Sequence, residues 1–154
     1  MALLELGELK SALHPGQRLL GLDLGEKTIG LALSDTALTV ATPLKTLKRG
    51  KFTVDATSLD ALAVEHGIGG LIVGLPLNLD GSAGRAAQSA RAFARNFARR
   101  SQIPLAMMDE RLSTAAANRA LLEADTSRKK RAKTVDKVAA AYILQSALDR
   151  LRTA

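Results

Sequence analysis

The stretch LLGLDLGEKTIGLALSD, residues 19–35, places an acidic residue inside a segment that otherwise has the composition of a buried strand. Apolar residues lie on both sides of a polar centre at 25–27, which predicts a hairpin with strands at 18–24 and 28–34. Asp23 interrupts the first of these strands. An ionised carboxylate buried in a sheet needs a compensating partner, and its immediate neighbours in the sequence supply none.

The composition of the chain narrows the classes of protein to consider. A length of 154 residues fits one ordinary domain, and 47% of the residues are hydrophobic, which is enough to bury a core. The absence of cysteine excludes disulfides and thiolate metal sites and fits a reducing compartment. No segment reaches the roughly 18 apolar residues of a membrane span, so we expect a soluble, cytoplasmic protein without membrane contact. The formal net charge of +7 favours an anionic partner, with nucleic acid the first candidate.

The remainder of the chain predicts an α/β fold with a mixed sheet, because three strands come first and helices then alternate with strands. Residues 1–17 are expected to form an N-terminal arm or short helix, followed by a single domain at 18–154. Pro43 favours an edge position for the third strand, and the basic segment 125–133 is predicted to be a loop. The further strands are predicted at 38–48, 70–75 and 104–108, and the helices at about 53–66, 84–101, 113–124 and 134–151.

Acidic residues recur where such a fold places its functional sites. Asp109 and Glu110 follow the strand predicted at 104–108, and Asp136 lies near the start of the last helix. Ligand sites in open α/β sheets gather at the carboxyl ends of the strands. Acids from three separate elements, including Asp23, could therefore converge on Mg²⁺ or Mn²⁺, which prefer oxygen ligands. Taken singly, Asp109 as a helix cap and Asp136 as a first-turn charge each have an ordinary structural explanation.

Four segments carry a resemblance to a known family, and they occur in the same order and spacing. The sequence resembles the YqgF family, whose members are assigned as pre-16S ribosomal RNA nucleases and as Holliday junction resolvase-like proteins, over residues from about 18 to 150. The resemblance implies a ribonuclease H-like fold, with a five-stranded mixed sheet flanked by helices. The segments are residues 19–35, LIVGLPLNLDGS at 71–82, MDERLST at 108–114 and SRKKRAKTVDKVAAAYIL at 127–144.

The resemblance also implies a catalytic set that binds metal. By position its members are Asp23, either Asp109 or Glu110, and Asp136, and we favour Glu110 as the direct ligand of the middle pair. Glu26 departs from the family pattern, since many relatives carry a small polar residue there. The arm at 1–17 is also longer than the family usually needs.

Several polar and basic residues are candidate contacts to a nucleic-acid backbone. Two stand on the hairpin turn, one lies in the loop after the strand at 70–75, one follows the acidic pair, and four form a dense basic run before Asp136. Turn formation and solvation are the ordinary alternatives for the turn and loop residues. The candidates are Lys27, Thr28, Asn78, Arg111, Arg128, Lys129, Lys130 and Arg131.

The residues and the resemblance together predict a metal-dependent nuclease that uses Mg²⁺ or Mn²⁺. The resemblance favours structured RNA as the substrate, in particular the 5′ end of precursor 16S ribosomal RNA within ribosomal precursor particles. One alternative is a Holliday junction resolvase, which acts on branched DNA and needs a dimer for paired cuts. Another is a non-catalytic module that binds nucleic acid. We expect a monomer or a weak dimer.

Overall fold

A computed structural model of the chain describes residues 3–112 and 128–153, with side chains for 3–111 and 137–152. Within these residues a six-stranded sheet has the strand order β1-β6-β5-β2-β3-β4. Of the five strand pairs among these residues, β2–β3 and β3–β4 are antiparallel and the other three are parallel. The strands are β1 (Leu3–Leu4), β2 (Arg18–Leu24), β3 (Thr28–Ser34), β4 (Ala41–Lys48), β5 (Ile68–Leu75) and β6 (Leu105–Asp109).

The hairpin that carries Asp23 forms as predicted. Strands β2 and β3 have the expected bounds and pair in antiparallel register, with Asp23 opposite Gly30. Strand β5 lies on the other side of β2 and runs parallel to it, with Val73 paired to Leu22. The strand that bears Asp23 is therefore internal to the sheet, and β5 separates it from β6.

The sheet has one strand more than the five predicted. The extra strand is β1, in which Leu3 pairs with Leu105 in parallel register. It lies within the N-terminal arm, where two residues are too few to show the alternation that identifies a strand. A short helix, α1 (Leu6–Ala12), follows it and buries Leu9 completely. The division of the chain into an arm and one domain stays a prediction.

Strand β4 occupies an edge of the sheet, as Pro43 predicted. Its register with β3 shifts by one residue next to Pro43, which is the irregularity expected where proline interrupts a ladder. The strand begins at Ala41 and not at 38, because Asp35 turns the chain there. The Asp35 carboxylate accepts hydrogen bonds from the backbone N–H groups of Thr39 (2.7 Å) and Val40 (3.1 Å).

Helices cover both faces of the sheet. Helices α2 (Phe52–His66) and α3 (Arg85–Arg100) pack on one face, where the core contains Leu59 from α2 and Phe93 from α3. Helices α1 and α4 (Arg128–Thr153) pack on the other face. Helix α4 approaches β2 closely, since a Cβ atom on Gly21 would lie 2.8 Å from the Cβ atom of Leu144. No helix among the described residues is both long enough and apolar enough to cross a membrane.

The last helix begins earlier than predicted. Residues 128–133, predicted as part of a basic loop, are helical, because α4 starts at Arg128. Arginine and lysine are good helix formers, and neither Gly nor Pro occurs between 128 and 153. The helix predicted at 113–124 lies outside the described residues.

Candidate active site

Asp23 faces the side of the sheet that α4 covers. Successive side chains of a strand point to opposite faces. Leu22 belongs to the core under α2 and α3, whereas Leu19 and Gly21 meet the α1 and α4 layer. Asp23 therefore points towards α4, and its side chain is buried, with 4% of the residue exposed. The acid that interrupts the strand thus lies inside the protein.

Glu110 lies near Asp23 because β5 is the one strand between β6 and β2 in the described sheet. It follows β6 in a short 3₁₀ turn (Glu110–Leu112) and is 6% exposed. Its Oε2 atom lies 3.0 Å from the position that a Cβ atom on Gly74 would take. Gly74 follows Val73, the partner of Leu22, so it is next to Asp23 on the neighbouring strand. The two buried carboxylates therefore lie on the same face of the sheet, at the carboxyl ends of β2 and β6 and beside Gly74.

Asp136 lies on α4, four positions before Ala140. The carbonyl oxygen of Ala140 is 3.0 Å from the position of a Cβ atom on Gly21, so this part of the helix packs directly on β2, two residues before Asp23. The side chain of Asp136 is not among those that the structure describes. Among the side chains that are described, no group of three or more acidic or histidine residues lies together as a metal site. The pair of Asp23 and Glu110 offers oxygen ligands alone, which is the donor chemistry that suits Mg²⁺ or Mn²⁺.

Asp109 points away from this pair. Side chains alternate along a strand, so Asp109 points to the same face of β6 as Leu105 and Met107, which pack in the core under α2 and α3. Its carboxylate is bound by Arg111, whose Nη2 lies 2.7 Å from Oδ2 and whose Nε lies 3.1 Å from both oxygens. This contact holds the pKa of Asp109 below its usual value and raises the pKa of Arg111. The two neighbouring acids therefore have different environments on opposite sides of the sheet.

Arg111 also joins β6 to the loop after β5. Its Nη1 donates a hydrogen bond to the carbonyl oxygen of Leu79 at 3.3 Å. Asn78, a predicted nucleic-acid contact, is exposed in that loop, and its Nδ2 donates to Ser82 Oγ at 3.0 Å. The loop is closed further by Asp80, whose pKa is lowered chiefly by the hydrogen bond from the Ser82 hydroxyl. Asn78 and Arg111 are thus both engaged within the protein.

The turn between β2 and β3 is held by a residue that sequence reasoning missed. Lys27 is exposed on the turn and Thr28 is partly buried at the start of β3. Arg49 donates from Nη1 to the carbonyl oxygen of Gly25 (2.7 Å) and from Nη2 to Ser89 Oγ on α3 (3.0 Å). Ser89 is 40 positions away from Arg49 in the sequence, so no local pattern predicts this contact.

The basic run predicted to contact nucleic acid occupies the first turns of α4. It precedes Asp136 on the same helix, so the run and the third acid share one element. The side chains of the run, like that of Asp136, lie outside the described residues. Its residues are Arg128, Lys129, Lys130 and Arg131.

Two solved structures with a similar fold come from proteins linked to Holliday junctions. T. thermophilus RuvC, in complex with a Holliday junction substrate, matches with a TM-score of 0.53 and 13% identity, covering 90% of this chain and 98% of RuvC. The yeast mitochondrial Holliday junction resolvase Ydc2 matches with a TM-score of 0.50 and 13% identity, covering 94% and 82%. At this identity the likeness concerns the fold, and it confirms the predicted ribonuclease H-like α/β class.

Sequence relatives match over nearly the whole chain. The relative from Roseobacter denitrificans, named as a candidate pre-16S rRNA nuclease, is 57% identical over 154 residues, covering 99% of this chain and 94% of its own length. A relative of the same name from Paramagnetospirillum magneticum is 58% identical over 149 residues, covering 97% and 96%. The family model described as "RuvX: Holliday junction resolvase" matches residues 17–150. This chain therefore belongs to the RuvX family, which is the YqgF family that the sequence resembles.

Proposed function

We propose that this chain is a nuclease that hydrolyses phosphodiester bonds, and that its substrate is the 5′ end of precursor 16S ribosomal RNA. The observation that carries the proposal is the pair of buried carboxylates, Asp23 and Glu110, above Gly74 at the carboxyl ends of their strands. Buried acids that are brought together from distant parts of a chain are typical of catalytic sites.

The donor chemistry of this pair supports a divalent cation as the cofactor. Asp23 and Glu110 would hold Mg²⁺ or Mn²⁺, and we propose Asp136 as the third ligand, because it lies on the helix that packs against β2. A cation held there supplies activation of the attacking water and stabilises the charge that develops on the leaving oxygen. We assign Asp109 no direct role, because its carboxylate is bound to Arg111 and faces the other side of the sheet.

The remaining predicted residues have separate proposed roles. Lys27 and Thr28 stand on the turn beside Asp23 and would hold the phosphate to be cleaved, whereas Asn78 would contact the strand from its exposed loop. Arg111 is better placed to fix that loop against β6 than to meet substrate, since Asp109 and Leu79 already engage its guanidinium. The basic run of Arg128, Lys129, Lys130 and Arg131 would bind the backbone and make affinity fall steeply with salt.

The preference for ribosomal RNA rests on the sequence relatives. Those at 57% and 58% identity are named as candidate pre-16S rRNA nucleases and match nearly the full chain. Ribosomal precursor particles in the cytoplasm are then the expected partners. The absence of cysteine agrees with that compartment.

The proposal is tested by cleavage of precursor 16S RNA with Mg²⁺ or Mn²⁺. Asp23→Asn and Glu110→Gln should each abolish cleavage while the circular dichroism spectrum stays that of the wild type. Asp109→Asn is the matched control, one residue from Glu110 but on the other face, and it should retain most of the activity. A folded Asp23→Asn variant that cuts at the wild-type rate would overturn the proposal and favour a non-catalytic nucleic-acid binding module.

A second candidate function is resolution of Holliday junctions, which the description of the matching family favours. The chemistry of the site would be the same, but symmetric cuts would require two copies of the chain. A side-by-side assay with a four-way DNA junction and a precursor 16S RNA, together with the mass of the protein in solution, separates the two. We expect the protein to be a monomer or weak dimer and to cut the RNA faster than the junction. Paired cuts of the junction by a stable dimer would instead favour the resolvase function.

A further inference from the structure

We propose that a cleft behind the candidate active site binds a second phosphate of the nucleic-acid strand, an inference that rests on the proposed nuclease function. The cleft has a volume of about 440 Å³ and lies between the β2–β3 turn, the chain after β4 and the first turn of α3. The residues that bear on the argument are Gly25, Glu26, Arg49, Arg85 and Ser89.

Arg49 is held in the cleft in a fixed position. Its Nη1 and Nη2 atoms donate to Gly25 (2.7 Å) and Ser89 (3.0 Å), and its backbone N–H donates to the carbonyl oxygen of Lys27 (2.8 Å). A guanidinium has five N–H donors, so these two side-chain bonds leave three for a ligand. Both partners are neutral, and they orient the group without neutralising its charge.

The charge of the cleft favours an anion. Arg49 and Arg85 contribute two positive charges, and Glu26 contributes one negative charge. Among the side chains that the structure describes, neither arginine forms an ion pair. A phosphodiester carries a single negative charge and matches the planar donor fork of arginine. The net charge of these three side chains therefore suits one phosphodiester group.

The cleft lies where a nucleic-acid strand bound at the candidate active site could reach it. Leu24 lines the cleft and packs with the core under α2 and α3, whereas Asp23, one residue earlier, faces α4. The cleft and the pair of Asp23 and Glu110 therefore lie on opposite faces of the sheet, at the same end of β2. A nucleic-acid strand that crosses the β2–β3 turn beside Lys27 would pass from one to the other. The cleft would then hold a second phosphate of the same nucleic-acid strand.

The test measures how binding of RNA depends on salt, without cleavage. A fluorescent RNA hairpin with a single-stranded 5′ extension is titrated in EDTA, between about 50 and 200 mM salt. Loss of one phosphate contact lowers the slope of log K against log salt by about 0.7 to 0.9. We expect this decrease for Arg49→Gln and for Arg85→Gln, with equal losses of affinity for RNAs of different sequence. Arg95→Gln, which removes an exposed arginine of α3 that does not line the cleft, should leave the slope nearly unchanged.

The variant Ser89→Ala distinguishes a purely structural role of Arg49 from phosphate binding. It removes one hydrogen-bond partner of Arg49 and leaves the charge of Arg49 in place. This variant should keep the wild-type slope. If Arg49→Gln and Arg85→Gln give the same slope as Arg95→Gln, the cleft does not bind phosphate. That result leaves the proposed nuclease intact as long as Asp23→Asn abolishes cleavage. Lowered slopes together with a fully active Asp23→Asn variant would instead support the cleft and overturn the nuclease.

Discussion

The carboxylate of Glu110 occupies the space that a side chain on Gly74 would fill. Its Oε2 atom is 3.0 Å from the position of that missing Cβ atom, and Cδ1 of Ile143 from α4 is only 2.6 Å from the same point. The absence of a side chain at 74 thus admits both the carboxylate and the helix above it. Since Gly74 lies beside Asp23 on the neighbouring strand, a side chain at this position would crowd Glu110 in the region next to Asp23.

Gly74→Ala should therefore strongly reduce cleavage of precursor RNA while it lowers the free energy of unfolding only moderately. The added methyl group would displace Glu110 or Ile143, and overpacking of a core typically costs about 1–3 kcal/mol. We expect the variant to fold, to lose stability in that range and to lose most of its cleavage of precursor RNA. Urea denaturation and the cleavage assay measure the two effects.

Gly70→Ala provides the matched control for this experiment. Gly70 lies on the same strand and face, and its methyl group would meet Leu9 Cδ1 at 2.7 Å and Leu19 Cδ2 at 3.0 Å. The steric conflict is similar, but no acidic residue is among the atoms it meets. A comparable loss of activity in both variants would show that general destabilisation, and not displacement of Glu110, is responsible.

Binding of a divalent cation by the two acids should appear as thermal stabilisation. A ligand that binds only the folded state adds about 2.7 kcal/mol at a concentration of 100 times its Kd. Mn²⁺ should therefore raise the Tm of the wild type, and Asp23→Asn and Glu110→Gln should lose the increase. Asp109→Asn should retain it. Equal increases in all four proteins would mean that the cation binds elsewhere.

The contact between Arg111 and Asp109 predicts a loss of stability in acid. The pKa of Asp109 is lowered, chiefly by the hydrogen bonds from Arg111. A carboxyl with a lowered pKa stabilises the fold above its unfolded pKa, about 3.9, and this contribution disappears as the pH falls through the folded pKa. The free energy of unfolding should thus decrease as the pH is taken from about 5 towards 2, and Asp109→Asn should show a smaller decrease.

Urea denaturation across this pH range measures the effect, with Arg111→Gln as a second variant. Because the two residues act through one contact, the double variant should show no smaller acid dependence than either single variant. Some dependence will remain in all of them, since the pKa values of Asp35 and Asp80 are also lowered, chiefly by hydrogen bonds from Thr39 and Ser82. An Asp109→Asn protein with the wild-type acid dependence would contradict the assignment.

The N-terminal helix should contribute to global stability. Leu9 is fully buried in the core between the sheet and the helices α1 and α4. Lys10 donates a hydrogen bond from Nζ to the carbonyl oxygen of Leu151 at 3.2 Å. Leu9→Ala should cost about 2–5 kcal/mol, the range for removal of a buried leucine side chain. Leu3→Ala, at a position that is 43% exposed, should have a much smaller effect. Denaturant unfolding of the two variants tests whether α1 is part of the core.

The hairpin and the burial of Asp23 could be predicted because two apolar runs on either side of a short turn are a local signal. The choice between Asp109 and Glu110 could not be made from that pattern. Alternation does assign them to opposite faces, but the strand before them, PLAMM, is apolar on both, so its residues do not reveal which face carries the site. The role of Arg49 was equally hidden, since its partner Ser89 is brought near only by the fold.

The error at residues 128–133 has a different cause. A run of basic residues predicts an exposed segment and so favours a loop, yet charge does not oppose helix formation. The two-residue β1 shows the converse. Leu3 pairs with Leu105, which is 102 positions away in the sequence, so the pairing leaves almost no local signal.

The two edges of the sheet bear on how copies of this protein could associate. Among the residues that the structure describes, one edge is the two-residue β1. The other is β4, with Pro43, a shift in register and the exposed lysines Lys45 and Lys48. Short strands, proline, bulges and lysine all discourage a second chain from extending a sheet. We therefore expect a pair of copies that cuts a branched DNA to join through helices or loops, leaving each sheet separate.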